Sequence, residues 1–545
     1  MSTRGRILLI IALVFLGVFE WWWTIHRWMP HSVPAAQASA ISGISVGHPL
    51  HRLPPRRAQV FTSDEVHAFL VGVRNADAMA DPLQRCLNYP DPPHSHWSPA
   101  TVKAYCQYYL HPVMSFDEAK VLIEGGKAAE LDQKLSQVLQ AQRTLPDAHG
   151  LLDHTYFRAF DDGSFDVRPT LDAWKRASPN SAFAYAASGM AYVAMAQKAR
   201  GGAYIQDTPQ SNIDAMDRLL SQADADLQRA VTLDPQVTPA YVAMINAGSL
   251  SLGDVYVRRA VARGLAAAAD NYAIYGVLSG AMQPRWGGSL AAMDQVAHAA
   301  QAHVNQNPLL AIVLSAEPAY RYDVCNCQSS ANWSAFPTVF DNVSSTSLLS
   351  NAGYAASENA QSDIATVYLS EVLRFQPGAE VDRRRRDTSL LGVDESKMAL
   401  DDANRLVAAE PEFGANYRLR GNVYASMMDN AHAEQDLEHA LALNPDSIDT
   451  LSALGNLYTN HTQEWDKAWD IAERIIRKYP GSPGGWAMKA TIQENHPGAD
   501  LRATYQYFVD NFSNDPNMQW HTNRLREALA KSAPSVPANP APAIR

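Results

Sequence analysis

Apolar residues recur at three- and four-residue spacing through most of this chain, and no stretch alternates apolar and polar positions as a half-buried strand does. An all-helical body is therefore expected. Ala433, Leu437 and Ala440 make one such stripe, closed by Pro445, and Ala223, Leu227 and Ala230 make another, closed by Pro235. Proline ends each because it lacks the N–H that the next turn needs. Helix starts are marked as well. Thr62 with Glu65, and Ser115 with Glu118, have the capping-box spacing, and Ser98 precedes a first-turn Pro99. Ahead of this body, Ile7 to Phe19 is apolar throughout apart from Gly17, and Trp21, Trp22 and Trp23 follow Glu20. That stretch has the length of a short membrane span with tryptophans at an interfacial belt. The small-residue site Ala38-Ser39-Ala40 lies too far downstream for a signal peptidase, so an uncleaved anchor is expected. Arg4 and Arg6 before the span, against Arg27 after it, slightly favour a cytoplasmic N-terminus.

The stripes also repeat. Gly421 and Tyr424 return as Gly455 and Tyr458; Pro411 precedes Pro445 by the same interval, and Pro480 follows one position late. A small residue at Gly421 lets two helices approach, with Tyr424 filling the space beside it. This pattern resembles the tetratricopeptide repeat, a helix–turn–helix unit of that period. The resemblance implies a helical-hairpin solenoid whose surface holds another chain and carries no chemistry of its own. An earlier, degenerate copy has Tyr185, Gly189 and Tyr192 after Pro179. Its second stripe, Ala223 to Pro235, arrives about twenty residues late. An insert from Arg200-Gly201-Gly202 to Leu219 is expected to separate the two helices, as a packing loop or as a customised binding edge. Ala199 to Gly201, Leu233 to Pro235, and Pro284-Arg285-Trp286-Gly287-Gly288-Ser289 together resemble an uncharacterised bacterial helical domain family over Ser115 to Tyr320. That likeness implies a helical fold and a bacterial source and supplies no site. Trp286 reads as core packing or as a groove anchor.

The expected organisation is a short cytoplasmic end (1–6), a transmembrane anchor (7–23), an extended Pro/Ala/Ser linker (24–60), a degenerate helical-repeat domain (61–327), a Ser/Asn/Ala-rich linker with room for short helices (328–363), a tetratricopeptide-repeat domain (364–531) and a Pro/Ala-rich disordered tail (532–545).

At 545 residues the chain exceeds one ordinary domain, and 47% apolar residues are ample for its cores. A balance of 56 acidic against 45 basic residues argues against nucleic acid as a partner. The one basic run, Arg383 to Arg386 between Asp382 and Asp387, reads as a solvated helix face or linker, with an anion or headgroup contact as the alternative. Cys86, Cys106, Cys325 and Cys327 form an even set suited to an oxidising compartment. Cys86–Cys106 would close an ordinary loop, a Cys325–Cys327 bond would be strained across one residue, and cross-pairing remains open.

Few patterns suggest catalysis. Gly43-Ile44-Ser45-Val46-Gly47 has the nucleophile-elbow spelling but stands in the tether, with neither strand before nor helix after it. His94, His96 and His111 lie near Cys86 and Cys106, yet without the paired spacing of a structural zinc site. No phosphate-cradling loop and no His-Glu-x-x-His motif occurs, so neither metal nor cofactor is expected.

The sharper reading concerns the repeats. With Gly421 as the eighth position, Arg418 and Asn422 fall at the fifth and ninth, and Asn456 is the ninth of the next unit. In tetratricopeptide proteins such positions line the groove. An arginine there can hold a carboxylate, and asparagines can bond a peptide backbone. Ser452, Ala453, Ala487 and Met488 stand where a full carboxylate clamp wants more cations and asparagine, so the clamp is incomplete. The overall expectation is a non-enzymatic scaffold, anchored in a bacterial inner membrane with its bulk in the periplasm, binding another protein or peptide. The rivals are an enzyme with a site near His94, His96 and the insert after Arg200, and an immunity-type inhibitor of a secreted effector.

Overall fold

The computed structural model describes residues 59–495, 500–513, 515 and 518–532. The expected anchor, the Gly43–Gly47 pattern and nearly all of the tether and tail lie outside them. The described residues form α-helices joined by short turns, 3-10 turns and two π turns, with no strand among them. None of these helices is long and apolar enough to cross a membrane. Both capping boxes form: Thr62 and Ser115 each accept from the third residue of their helix, whose glutamate bonds back to the cap.

The chain divides into two compact units, residues 59–382 and residues from 383 onward. In the first, helical hairpins follow one another from Phe116 to Gln301. The most closely packed pair is Ala182–Arg200 against Gln210–Leu233. Gly189 sits at their crossing, where a Cβ would come within 2.6 Å of Leu227 Cδ2. The insert expected after Arg200 is not a separate loop. Helix Gln210–Leu233 runs for 24 residues, and only residues 201–209 connect it to its partner. Met216 and Leu220 are buried along the added turns. The extra sequence lengthens a hairpin because its apolar positions keep the helical period.

Helix Ser362–Phe375 is buried on every side from Asp363 onward, as a helix at the centre of a unit must be. The N-terminal segment wraps it. The Asp363 carboxylate accepts from the N–H groups of Val60 (2.8 Å) and Phe61 (2.9 Å). Arg374 donates to the Cys86 carbonyl (2.8 Å) and to Asp91 (2.8 Å), and the Trp97 indole donates to the Phe340 carbonyl (2.9 Å).

From Thr346 the hairpins keep strict time. First helices begin at Thr346, Glu380, Gly414 and Ile448, one repeat period apart at every step, and then at Pro483, a single position late. Second helices begin at Ser362, Ser396, Asn430 and Trp465. The same contact recurs between them: a Cβ on Gly421 would stand 2.8 Å from Leu437 Cγ, and one on Gly353 would stand 2.6 Å from Leu369 Cδ2. This is the tetratricopeptide-like architecture that the sequence pattern implied, and it starts earlier than expected. Residues 328–363, read from composition as a connection, contain the helix Thr346–Glu358, and Phe336, Phe340 and Leu349 are buried there. Small residues carry this stretch because Ala352, Gly353, Ala355 and Ala356 let it lie close against the next helix.

The basic run also departs from expectation. Arg383 and Arg386 are buried on helix Glu380–Leu391 rather than solvated. Both donate to Asp402, Arg383 through Nη1 (3.1 Å) and Arg386 through Nε (2.8 Å) and Nη2 (2.7 Å). Arg384 pairs with Glu410 and lies over the Phe413 ring. The burial is tolerated because a carboxylate one helix away meets two guanidiniums.

Asp387 occupies the position held by Gly353 and Gly421 in the neighbouring repeats. It is buried, with no hydrogen-bond partner for either oxygen. Burial, reinforced by Asp402 and opposed by Arg386, pushes its carboxyl well above the usual carboxylate range, which favours the neutral acid in the folded state. The folded state then holds a proton that the unfolded chain releases near pH 4, and stability falls as pH rises through that value toward the raised folded pKa. Asp387→Asn, which cannot titrate, is expected to unfold later than the parent at pH 7 and to lose that advantage toward pH 4. Urea titrations at the two pH values decide it, and a pH-independent difference would contradict a neutral Asp387.

Candidate functional site

Consecutive first helices of the second unit adjoin one another: Gly414–Ser426 meets Ile448–Asn456, which meets Pro483–Asn495. The first two are backed by their hairpin partners, through Ala433 and Leu437 and through Ala468 and Ala472. The row places Arg418 and Asn422 one turn apart on the first helix and Asn456 on the second, all half-buried. Arg418 Nη2 reaches Asp449 Oδ2 on the neighbouring helix at 4.0 Å, and Asp449 is itself mostly exposed. That pair is weak, so the guanidinium remains able to take another anion. Asn422 makes no side-chain hydrogen bond among the described residues. Asn456 Oδ1 accepts from Asn460.

One local irregularity marks the row. Residues Leu457–His461 form a π turn directly after Asn456, with Thr462 N–H bonding the Leu457 carbonyl at 3.0 Å. The turn absorbs the one residue by which Pro480 is late. Single π turns inside α-helices occur frequently at functional sites. Farther along, three of the incomplete clamp positions, Ala453, Ala487 and Met488, are taken up by packing. Met488 folds over Gly455, and Trp486 stacks on Tyr507 at 4.4 Å.

The N-terminal candidates separate. His94 Nε2 meets Glu65 (2.9 Å), His96 Nδ1 meets Asp341 (2.6 Å) and His111 Nε2 meets the Asp147 carbonyl (2.6 Å). Cys86 bonds Cys106 in a buried position, and Cys325 bonds Cys327. No metal ligand set unites the three histidines. Beside the lengthened hairpin, Arg200 lies over the Trp286 ring at 5.5 Å, with Tyr204 and Ile205 exposed nearby in sequence. Trp286 is thus neither core nor fully solvated.

A buried polar cluster went unnoticed in the sequence. Asp153 accepts from Thr238 (2.8 Å), Asn271 (2.7 Å) and Gln142 (3.2 Å), and burial nevertheless pushes its carboxyl up to about 6. His154 stacks on Tyr108 at 4.3 Å and is held down to about 4 by burial. Thr238 opens one first helix and Asn271 caps another, so the cluster ties helix starts of successive hairpins through one carboxylate. Both carboxylate oxygens are engaged there, which marks a structural tie.

No family model matches this chain, and no curated protein matches it. Among solved structures, the chain is similar to the crystal structure of the P58(IPK) TPR domain, at 11% identity over 74% of this chain and 99% of that chain, with a TM-score of 0.22. A score of that size adds nothing to the fold; the regular register of the hairpins carries it.

Proposed function

We propose that this protein is a scaffold that holds an extended segment of another protein along the first-helix row of its C-terminal unit, with Arg418, Asn422 and Asn456 as the gripping residues. The tetratricopeptide-like hairpins are the premise, since an array of this kind presents side chains and no reactive group. The observation that favours this row is the placement of a weakly paired guanidinium, an asparagine with no internal hydrogen bond and a second asparagine on adjoining helices, beside a π turn. A carboxylate on the bound segment would meet Arg418, and its backbone would meet the asparagines. Anchoring through Ile7–Trp23 in a bacterial inner membrane, with the body in the periplasm, belongs to the same proposal and rests on the apolar run and its tryptophans.

Crosslinking in intact cells, followed by purification, tests it. Arg418→Glu combined with Asn422→Ala is expected to lower recovery of the principal crosslinked partner at least about tenfold, a change equal to roughly 1.4 kcal/mol. The unfolding midpoint should stay that of the parent, because both side chains are half-exposed. Undiminished recovery would move the binding face elsewhere. A periplasm-active reporter fused to the C-terminus is expected to be active.

A further inference from the structure

The two disulfides differ in what they can contribute. Cys86–Cys106 is buried, with a sequence separation of 20. Cys325–Cys327 closes a ring around Asn326 alone, with Cys327 exposed and Cys325 half-exposed. The stabilising effect of a cross-link grows with the length of chain it constrains, so a bond across one residue contributes little. The loop does not depend on it for order. The Asp323 carboxylate accepts from the N–H groups of Cys327 (2.9 Å), Gln328 (3.1 Å) and Ser330 (3.1 Å) and from the Ser330 hydroxyl (3.0 Å). Asn326 Oδ1 accepts from Ala331 N–H (3.2 Å), and Asn332 N–H closes the loop on the Tyr322 carbonyl (3.3 Å). Asp323, Asn326 and Ser329 all take left-handed backbone conformations, so a dedicated hydrogen-bond scaffold holds an accessible pair of sulfurs.

We infer that Cys325–Cys327 is a thiol–disulfide exchange site, cycling between disulfide and dithiol against a dithiol partner. A partner thiolate attacks Sγ of Cys327, the more exposed cysteine. The bond to Cys325 breaks as the bond to the partner forms, and the electron pair goes to Cys325 Sγ. That sulfur takes a proton from water. Its S–H then points at Asp323 Oδ1, which lies 3.6 Å from Sγ and accepts from the thiol. The partner's second thiolate attacks its own sulfur in the mixed disulfide and releases Cys327 as a thiolate, which takes a second proton from water. Two electrons and two protons have then passed to the pair, and the partner leaves as a disulfide; the reverse sequence donates the disulfide. The inference stands apart from the binding row, which lies in the other unit.

Dithiothreitol serves as the probe. The full chain is equilibrated at pH 7 across ratios of reduced to oxidised reagent, quenched with N-ethylmaleimide and digested, and each cysteine pair is read by mass spectrometry. Cys325–Cys327 is expected to open at a ratio at least about tenfold below that needed for Cys86–Cys106, since exposed disulfides are the labile ones. Helical circular dichroism should be unchanged at that point. If both pairs open together, or Cys325–Cys327 opens last, the inference is overturned. The single variants supply a second reading. Cys325→Ser, which leaves Cys327 as a thiol, is expected to react with oxidised glutathione about tenfold faster than Cys327→Ser, because exchange depends on access to the sulfur. Equal rates would remove the assigned order of attack and the exchange site with it.

Discussion

Asp402→Ala is expected to lower the stability of the C-terminal unit by about 3–5 kcal/mol, the range for removing one side of a buried ionic group. The aspartate is almost fully buried and is the carboxylate that the Arg383 and Arg386 guanidiniums share, at 2.7 to 3.1 Å. Deleting it leaves two cations in a low-dielectric interior without that acceptor. A guanidinium does not neutralise itself at any ordinary pH, so the structure must admit water, open, or ionise the neighbouring Asp387 carboxyl, which Arg386 already pulls down. Substituting the ionic group by apolar side chains should behave differently. Arg386→Met with Asp402→Leu is expected to recover part of the loss, because the cost lies in the unmatched charge more than in the missing contact. Urea unfolding followed by circular dichroism measures both. A loss below about 1 kcal/mol for Asp402→Ala would place the network in solvent, as a surface pair would behave.

That network shows why part of the fold was hidden in the sequence. A run of four arginines between two aspartates has the composition of a solvated face. Its partner at Asp402 lies on the following helix, where no local pattern connects them. The same hairpin conceals itself a second way, because Asp387 stands where the repeat wants a small residue. Even so, Ala399 and Pro411 follow Asp387 at the same intervals at which Ala433 and Pro445 follow Gly421. The hairpin before it was legible by the same rule. Gly353, Ala365, Leu369 and Pro377 have the spacing of Gly421, Ala433, Leu437 and Pro445, but Ser- and Asn-rich composition overrode the spacing.

Length was the third obstacle. Gly189 and Leu227 stand more than twice as far apart in sequence as Gly421 and Leu437, and the excess suggested a loop. It became helix because Met216 and Leu220 continue the stripe of Leu227. At the candidate site, period alone placed Arg418, Asn422 and Asn456 on one row. The late Pro480 signalled an extra residue without telling that it forms the π turn beside Asn456. The ion-pair partner Asp449, the hydrogen-bond partner Asn460 and the scaffold around Asp323 depend on backbone geometry that no spacing rule contains.

Gly353→Val tests whether the hairpin recovered from the supposed linker is a true member of the array. Helices Thr346–Glu358 and Ser362–Phe375 meet at this glycine, where even a Cβ would stand 2.6 Å from Leu369 Cδ2. Leu369 is fully buried, within a helix enclosed on all sides, so it cannot swing into solvent to make room. Overpacking of this kind costs about 1–3 kcal/mol, and the upper end is expected here because both neighbours are held. Gly280→Ala supplies the contrast. That glycine lies inside the helix Tyr272–Ala281 with nothing within 4 Å of an added Cβ. Alanine there should stabilise by roughly 0.5–1 kcal/mol through helix propensity alone. Leu369→Ala alone should cost about 2–5 kcal/mol. Combined with Gly353→Val it should cost less than the sum, because the valine enters the space the leucine vacates. Thermal and urea unfolding of the four variants reads this coupling. Strict additivity would separate Gly353 from Leu369 and remove the contact by which this hairpin matches the one at Gly421.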